Sequence, residues 1–170
     1  MSGGPPGSGG RWTSGPESRS MRIVIAPDKF KGCLPAGAVA KAMALGAARA
    51  GNSPMDILCV PMADGGEGTA DALVEATSGT YREANVHGPL GEPRSARYGW
   101  LEDGPTAVLE MAAASGLVLV PADRRDPTRT STGGTGELLI HAALAGAKRI
   151  ILGIGGSATN DGGAGLAQAL

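Results

Sequence analysis

Aromatic side chains are nearly absent: one phenylalanine, two tyrosines and two tryptophans, 3% of 170 residues. A surface that stacks on exposed nucleobases needs more of them. No excess of positive charge compensates, since the formal net charge is -1 and no Lys/Arg face stands out. Both observations argue against nucleic acid as a partner. Arg124, Arg125 and Arg129 do gather, but Asp123 and Asp126 are interleaved with them, as in a solvated loop. Two cysteines, Cys33 and Cys59, lie at no metal-ligand spacing and fit a reduced, cytoplasmic setting. Of the two histidines, His141 falls in a helical pattern over Gly136–Ala145 and reads as a packing or surface residue. No apolar run reaches the length of a membrane span. The first twenty residues lack the apolar stretch of a signal peptide.

Glycine, in contrast, is abundant, with 29 residues clustered in loops. The densest cluster is Gly153-Ile-Gly-Gly-Ser-Ala-Thr-Asn-Asp-Gly-Gly-Ala-Gly165, with six glycines in thirteen residues. It follows the apolar run Ile150–Leu152 and precedes a helix-like run, Ala164–Leu170. A strand, a Gly-rich turn and a helix N-terminus together suit phosphate or carboxylate oxygens. The loop matches neither the Walker loop nor the dinucleotide fingerprint. A turn that merely packs tightly has no need for Ser157, Thr159, Asn160 and Asp161 together. Two similar loops come earlier: Ala26-Pro-Asp-Lys-Phe-Lys-Gly-Cys-Leu-Pro35 after Ile23–Ile25, and Pro61-Met-Ala-Asp-Gly-Gly-Glu-Gly-Thr69 after Ile57–Val60. Three strand–loop–helix units, each with an acid just past the strand, point to one site at the carboxyl ends of parallel strands.

The chain divides into three parts. Residues 1–20 are Gly, Ser, Pro and Arg with almost nothing apolar, which reads as a disordered tail. Residues 21–85 alternate strand and helix: Met21–Ala26, Ala36–Ala50 closed by Gly51, Asp56–Val60, and Thr69–Ala76 closed near Gly79. That order predicts an α/β fold with a Rossmann-like parallel sheet. After Tyr81 the texture changes, and a domain boundary is expected near Val86, with residues 86–170 beyond it. Strand-like Tyr81–Val86, Arg94–Leu101 and Thr106–Glu110 are separated by Gly88-Pro-Leu-Gly and Asp103-Gly-Pro, which favours hairpins. A short helix over Ala112–Leu117, a helix opening at Ser131–Leu139 with Thr135 as N-cap, and strand Lys148–Ile154 complete residues 86–170. Leu166–Leu170 ends in mid-helix without a stop signal, so a truncated chain is expected.

Four segments carry a resemblance: Val24–Ala36, Pro61–Thr69, Ser131–Leu138 and Gly153–Gly165. In order and spacing they resemble the bacterial glycerate kinase family. The likeness runs from Met21 to Leu170. It implies ATP-dependent, Mg2+-assisted phosphorylation of D-glycerate to 2-phosphoglycerate. It also implies the N-terminal half of a Rossmann-like domain followed by part of an inserted second α/β domain, with the site in the cleft between them. This chain departs from the family at Cys33-Leu34-Pro35, where Ser-Leu-Ser is common; Pro35 suits the first turn of a helix. Gly133 stands where a larger side chain is common.

Phosphoryl transfer is mostly positioning and charge neutralisation. For the resembling site, Gly155, Gly156, Ser157 and Thr159, with Asn160, suit the phosphate cradle. Lys31, then Lys29, suits charge neutralisation. Asp28, Asp64 and Glu67, beside Gly65 and Gly66, suit water-mediated Mg2+ or substrate hydroxyls; which residues bind metal stays open. Helix capping is the competing role for Asp28 and Asp64, and the helix dipole for Glu67. Asp161 suits a general base or a hydroxyl-orienting group, compatibly with capping the last helix. Ser131, Thr132 and Thr135 resemble a ligand-facing loop. Asp161, Lys31 and Asp64 are thus the catalytic candidates, and ATP and D-glycerate the small-molecule partners. A related small-molecule kinase, a non-catalytic fragment and a pseudo-enzyme are the alternatives.

Overall fold

A computed structural model describes residues 21–51, 55–102 and 104–170. The expected tail, 1–20, and Asp103 of the second expected turn lie outside the described residues. Eleven regular elements follow one another: β1 (Met21–Ile25), α1 (Ala36–Ala50), β2 (Met55–Cys59), α2 (Thr69–Thr77), β3 (Thr80–His87), β4 (Pro93–Leu101), β5 (Thr106–Glu110), α3 (Met111–Ser115), α4 (Gly133–Leu144), β6 (Arg149–Gly153) and α5 (Ala164–Ala169). Short 3-10 turns at Leu117–Leu119 and Ala122–Arg124 link α3 to α4.

The strands form two sheets. In the first, β1 and β2 run parallel, from Met21 opposite Met55 to Ile25 opposite Cys59. α1 connects them. Its Ala-rich sequence favours helix, and Pro35 precedes it as N-cap at φ -68, one position ahead of the first turn. The second sheet has the order β3-β4-β5-β6. β3, β4 and β5 pair antiparallel, as their turn-rich connections imply, and β6 joins β5 in parallel.

Alternation along β5 explains why this sheet is covered on both faces. Ala107 and Leu109 point into a cluster with Tyr98, Leu138 and Ala142, under α4. Val108 points the other way and meets Leu101, Ala70 and Val74, under α2. A strand buried on both sides reads as a continuous apolar run, and Thr106–Leu109 is buried throughout. Burying one such leucine stabilises the fold by about 1.5–3 kcal/mol.

The strand of the third strand–loop–helix unit, β6, pairs with β5 in the second sheet. Val86, near which the sequence places a domain boundary, lies inside β3 and pairs with Arg94; the chain passes from the first sheet to the second between α2 and β3. One expectation needs correction. Thr135 is not the N-cap of α4. Thr132 holds that position. Thr135 is fully buried, with its hydroxyl 2.8 Å from that of Ser115.

Candidate functional site

The first loop folds back on itself. Phe30 N–H donates to the Leu34 carbonyl at 2.9 Å and Cys33 N–H to the Phe30 carbonyl at 2.8 Å. Gly32 permits that turn at φ +71. The fold leaves Lys29 facing the second loop. Its ammonium donates to Asp64 Oδ1 at 3.0 Å and lies 3.9 Å from Asp28 Oδ1. The same Asp64 oxygen accepts the Gly66 N–H at 3.0 Å, and Asp28 Oδ1 accepts the Lys29 N–H at 2.6 Å. Burial of Lys29 works against its charge, but Asp64, Asp28 and Glu67 outweigh it and hold its pKa above the usual lysine value. Lys29, then Gly66 N–H, holds the Asp64 carboxyl below the usual carboxylate range. Lys31 enters no ion pair among the described residues.

Between these loops lies a cleft of about 560 Å3. Asp28, Lys29, Lys31, Asp64, Gly66, Glu67 and Gly156, all sequence candidates, line it. Its volume is that of a small-molecule pocket. Phe30, Met62, Leu117 and Val118 add an apolar lip that the motifs did not single out. All four are exposed large hydrophobics, legible one by one but with nothing in their spacing to bring them together.

The last loop enters from the second sheet. Gly155 N–H donates to the Gly65 carbonyl at 2.9 Å. A Cβ on Gly155 would strike the backbone of Gly66, and one on Gly153 the backbone of Gly65, so the contact requires glycine. The remaining candidates of this loop turn elsewhere. Ser157 and Thr159 join hydroxyls at 2.7 Å, and Thr159 N–H donates to Ser157 Oγ at 3.0 Å. Asn160 is exposed.

Asp161 sits apart from the cleft, in a latch with Thr132. Its Oδ2 accepts the Thr132 N–H at 2.9 Å, the Thr132 hydroxyl at 2.8 Å and the Gly165 N–H at 3.1 Å. Its Oδ1 accepts the Gly163 N–H at 3.1 Å. Partial burial pushes its pKa up, but these donors prevail and hold the carboxyl below its usual range. Ser131 is exposed, and its Oγ accepts the Gly133 N–H at 3.1 Å.

Three acids are not among the sequence candidates: Asp71 and Glu75, which line the cleft, and Glu110. Glu110, the last residue of β5, accepts the Ala70 N–H at 2.7 Å. Burial, with Asp71 and Glu67 nearby, raises its pKa. It too is an acid at a strand end, the signal used for the other loops, but its strand reads as part of a hairpin.

Among the described residues, no three His, Cys, Asp or Glu side chains gather as a metal site. No helix there is long and apolar enough to cross a membrane.

The model of the glycerate kinase family matches residues 23–170. Glycerate 2-kinase of Escherichia coli K12 is 56% identical over 150 residues, covering 88% of this chain and 39% of that protein. Glycerate kinase of Bacillus subtilis 168 is 57% identical over 150 residues, with the same coverage. A crystal structure from Salmonella typhimurium LT2, provisionally assigned as glycerate kinase 2, superposes with a TM-score of 0.74 at 54% identity. The match covers 89% of this chain and 40% of that one. The chain thus spans about two fifths of the length of these relatives. With a family match over residues 23–170 and identities above one half, the chain belongs to the glycerate kinase family.

Proposed function

We propose that this chain carries the substrate-handling loops of an enzyme that transfers a phosphoryl group from ATP to D-glycerate, giving 2-phosphoglycerate. The observation behind this reading is the cleft in which Lys29, Lys31, Asp28, Asp64 and Glu67 meet. Little covalent chemistry falls to the protein in such a reaction; it must position both substrates and neutralise charge.

Lys31 takes the neutralising role. It lines the cleft and has no carboxylate partner among the described residues, so its charge is available to a phosphate. Lys29 is tied to Asp64 and Asp28 and holds the two loops together. Asp64 orients the substrate hydroxyl. Its Oδ1 is engaged by Lys29 and Gly66, and no bond within the described residues engages its Oδ2. Asp161, the base candidate from the sequence, is a weaker choice, since four donor hydrogens already fill its oxygens. It serves instead to fix Thr132 and the start of α5. The Gly66 N–H is given to Asp64 and that of Gly155 to Gly65, which leaves the N–H of Gly156, a residue lining the cleft, as the backbone phosphate donor of these glycines. Mg2+ commonly keeps waters and binds through one or two carboxylates plus phosphates. The carboxylates of Asp28, Asp64 and Glu67 on the cleft fit that donor set without a preformed metal cage. The ion's contribution when bound is charge neutralisation on the nucleotide phosphates.

An ATP assay on D-glycerate, with other hydroxy acids as controls and 31P NMR of the product, tests this reading. Turnover restricted to D-glycerate and lost in Lys31→Ala is the expected result. The competing reading is a non-catalytic chain. A cooperatively folded chain without turnover would select it.

A further inference from the structure

α2 begins without a capping side chain. Its N-cap is Gly68, in the left-handed region at φ +93. A side chain rarely adopts that conformation, so the turn that shapes the second loop forfeits the usual Ser, Thr, Asp or Asn cap. The first N–H groups of a helix nevertheless need acceptors. Glu110 supplies one from 40 residues further on, with Oε1 2.7 Å from the Ala70 nitrogen.

The arrangement is costly for a cap. The carboxylate is part-buried and shares its surroundings with Asp71 on α2 and Glu67 on the loop, both of which oppose its charge. What this long-range cap does, and a local one would not, is join two walls of the cleft. Gly66, Glu67, Gly68 and Asp71 line one side. Glu110 leads directly into α3, whose Ala112 lies against Gly156 on the other.

We propose that Glu110 is a positioning residue: it clamps the first turn of α2 to the end of β5 and so fixes the Asp64–Gly68 loop against the Gly156 side of the cleft. The functional half of this inference rests on the kinase reading above; the structural half does not.

The test compares Glu110→Gln, which keeps an acceptor oxygen at the same reach, with Glu110→Asp, one carbon shorter, and Glu110→Ala. Amide hydrogen exchange is read residue by residue, followed by the ATP/D-glycerate assay. In the Asp and Ala variants, exchange at Gly66 and Ala70 should quicken by about tenfold or more, as loss of one bond to a charged group implies. Val108 and Leu109 should keep wild-type rates, and Glu110→Gln should restore the loop. On substrate, kcat should fall with KM little changed in Asp and Ala, and recover in Gln. Unchanged exchange at Ala70, equal acceleration across the whole sheet, or failure of Gln to rescue would overturn the clamp. If Glu110→Ala does not fold, the Asp and Gln pair decides alone. The expected exchange pattern with no turnover in any protein, wild type included, refutes the kinase reading and leaves the clamp standing. Equal turnover in all variants refutes positioning and leaves the kinase reading standing.

Discussion

Thr132 gives both its backbone N–H and its hydroxyl hydrogen to a single oxygen of Asp161, at 2.9 and 2.8 Å. The same hydroxyl oxygen accepts the Leu166 N–H at 2.9 Å. One side-chain pair therefore starts α4 and anchors α5. Asp161→Ala should cost about 1–3 kcal/mol, the range for losing bonds to a charged group and leaving donors unmet, read from denaturant midpoints. The sign of the pH effect follows from the lowered carboxyl. Its stabilisation is present above the ordinary aspartate value of about 3.9 and fades as pH falls through the lower folded value. Wild type should lose stability in that acid range more steeply than Asp161→Ala.

The two lysines of the first loop should separate in experiment. Lys29→Met removes the ammonium that holds Asp64 down, so the Asp64 carboxyl should titrate nearer its usual value in 13C NMR. Lys31→Ala breaks no ion pair and should leave stability within about 0.5 kcal/mol, as surface changes do. Turnover of D-glycerate, in contrast, should fall with Lys31→Ala.

Two glycine-to-alanine changes should act in opposite directions. Gly46 lies inside α1 with nothing within 4 Å of an added Cβ; alanine there should stabilise by about 0.5–1 kcal/mol. At Gly155 the added carbon meets the Gly66 backbone, and alanine should destabilise by about 1–3 kcal/mol. Thermal melts of both variants check the pair.

Glu110→Gln should show how the half-buried acid shapes pH dependence. Burial raises the folded pKa of Glu110, with Asp71 and Glu67 adding to it. The folded chain thus holds this proton more tightly than the unfolded one. Its stabilisation is complete below the ordinary glutamate value of about 4.3 and is lost as pH rises through the folded value. Glutamine has no such loss. Relative to wild type, the variant should therefore gain stability as pH rises through that window, seen in melts across the range.

The sheets should also differ in local stability. The first has two strands, and Val24 and Leu58 on it are 57% and 51% exposed. Two-stranded sheets are marginal alone. Amides of β1 and β2 should exchange faster than those of β4 and β5; equal protection would show that the sheets open together.

Much of this architecture is local enough to read from sequence. Ala36–Ala50 is a helix with the expected ends, because alanine-rich sequence after a proline leaves little competition. Thr106–Glu110 is likewise a strand over the expected span. The partner of β6 is not legible, since a strand–loop–helix pattern does not say which strand of a sheet the new one joins. The cap of α4 was hidden for a similar reason. Ser131, Thr132 and Thr135 all offer hydroxyls, and Asp161, distant in sequence, engages Thr132. At the candidate site, acids and lysines of the first two loops lie together on the cleft. Ser157 and Thr159 do not, because each satisfies the other. Glu110 is not legible in the sequence, because its partner is a backbone N–H across the fold and a backbone group has no signature there.

Where Gly155 meets Gly65, the seam between the two sheets contains no side chain. Elsewhere in a protein, small displacements are absorbed by rotamers, as one side chain swings while its neighbour stays. Here main chain rests on main chain, and nothing can swing. A shift of the first sheet against the second must carry the Gly65 peptide with it, and with that peptide the adjoining Asp64 carboxylate and its lysine. The seam behaves as a gear tooth rather than a cushion: at this point a movement of one sheet passes straight to the loop that carries Asp64.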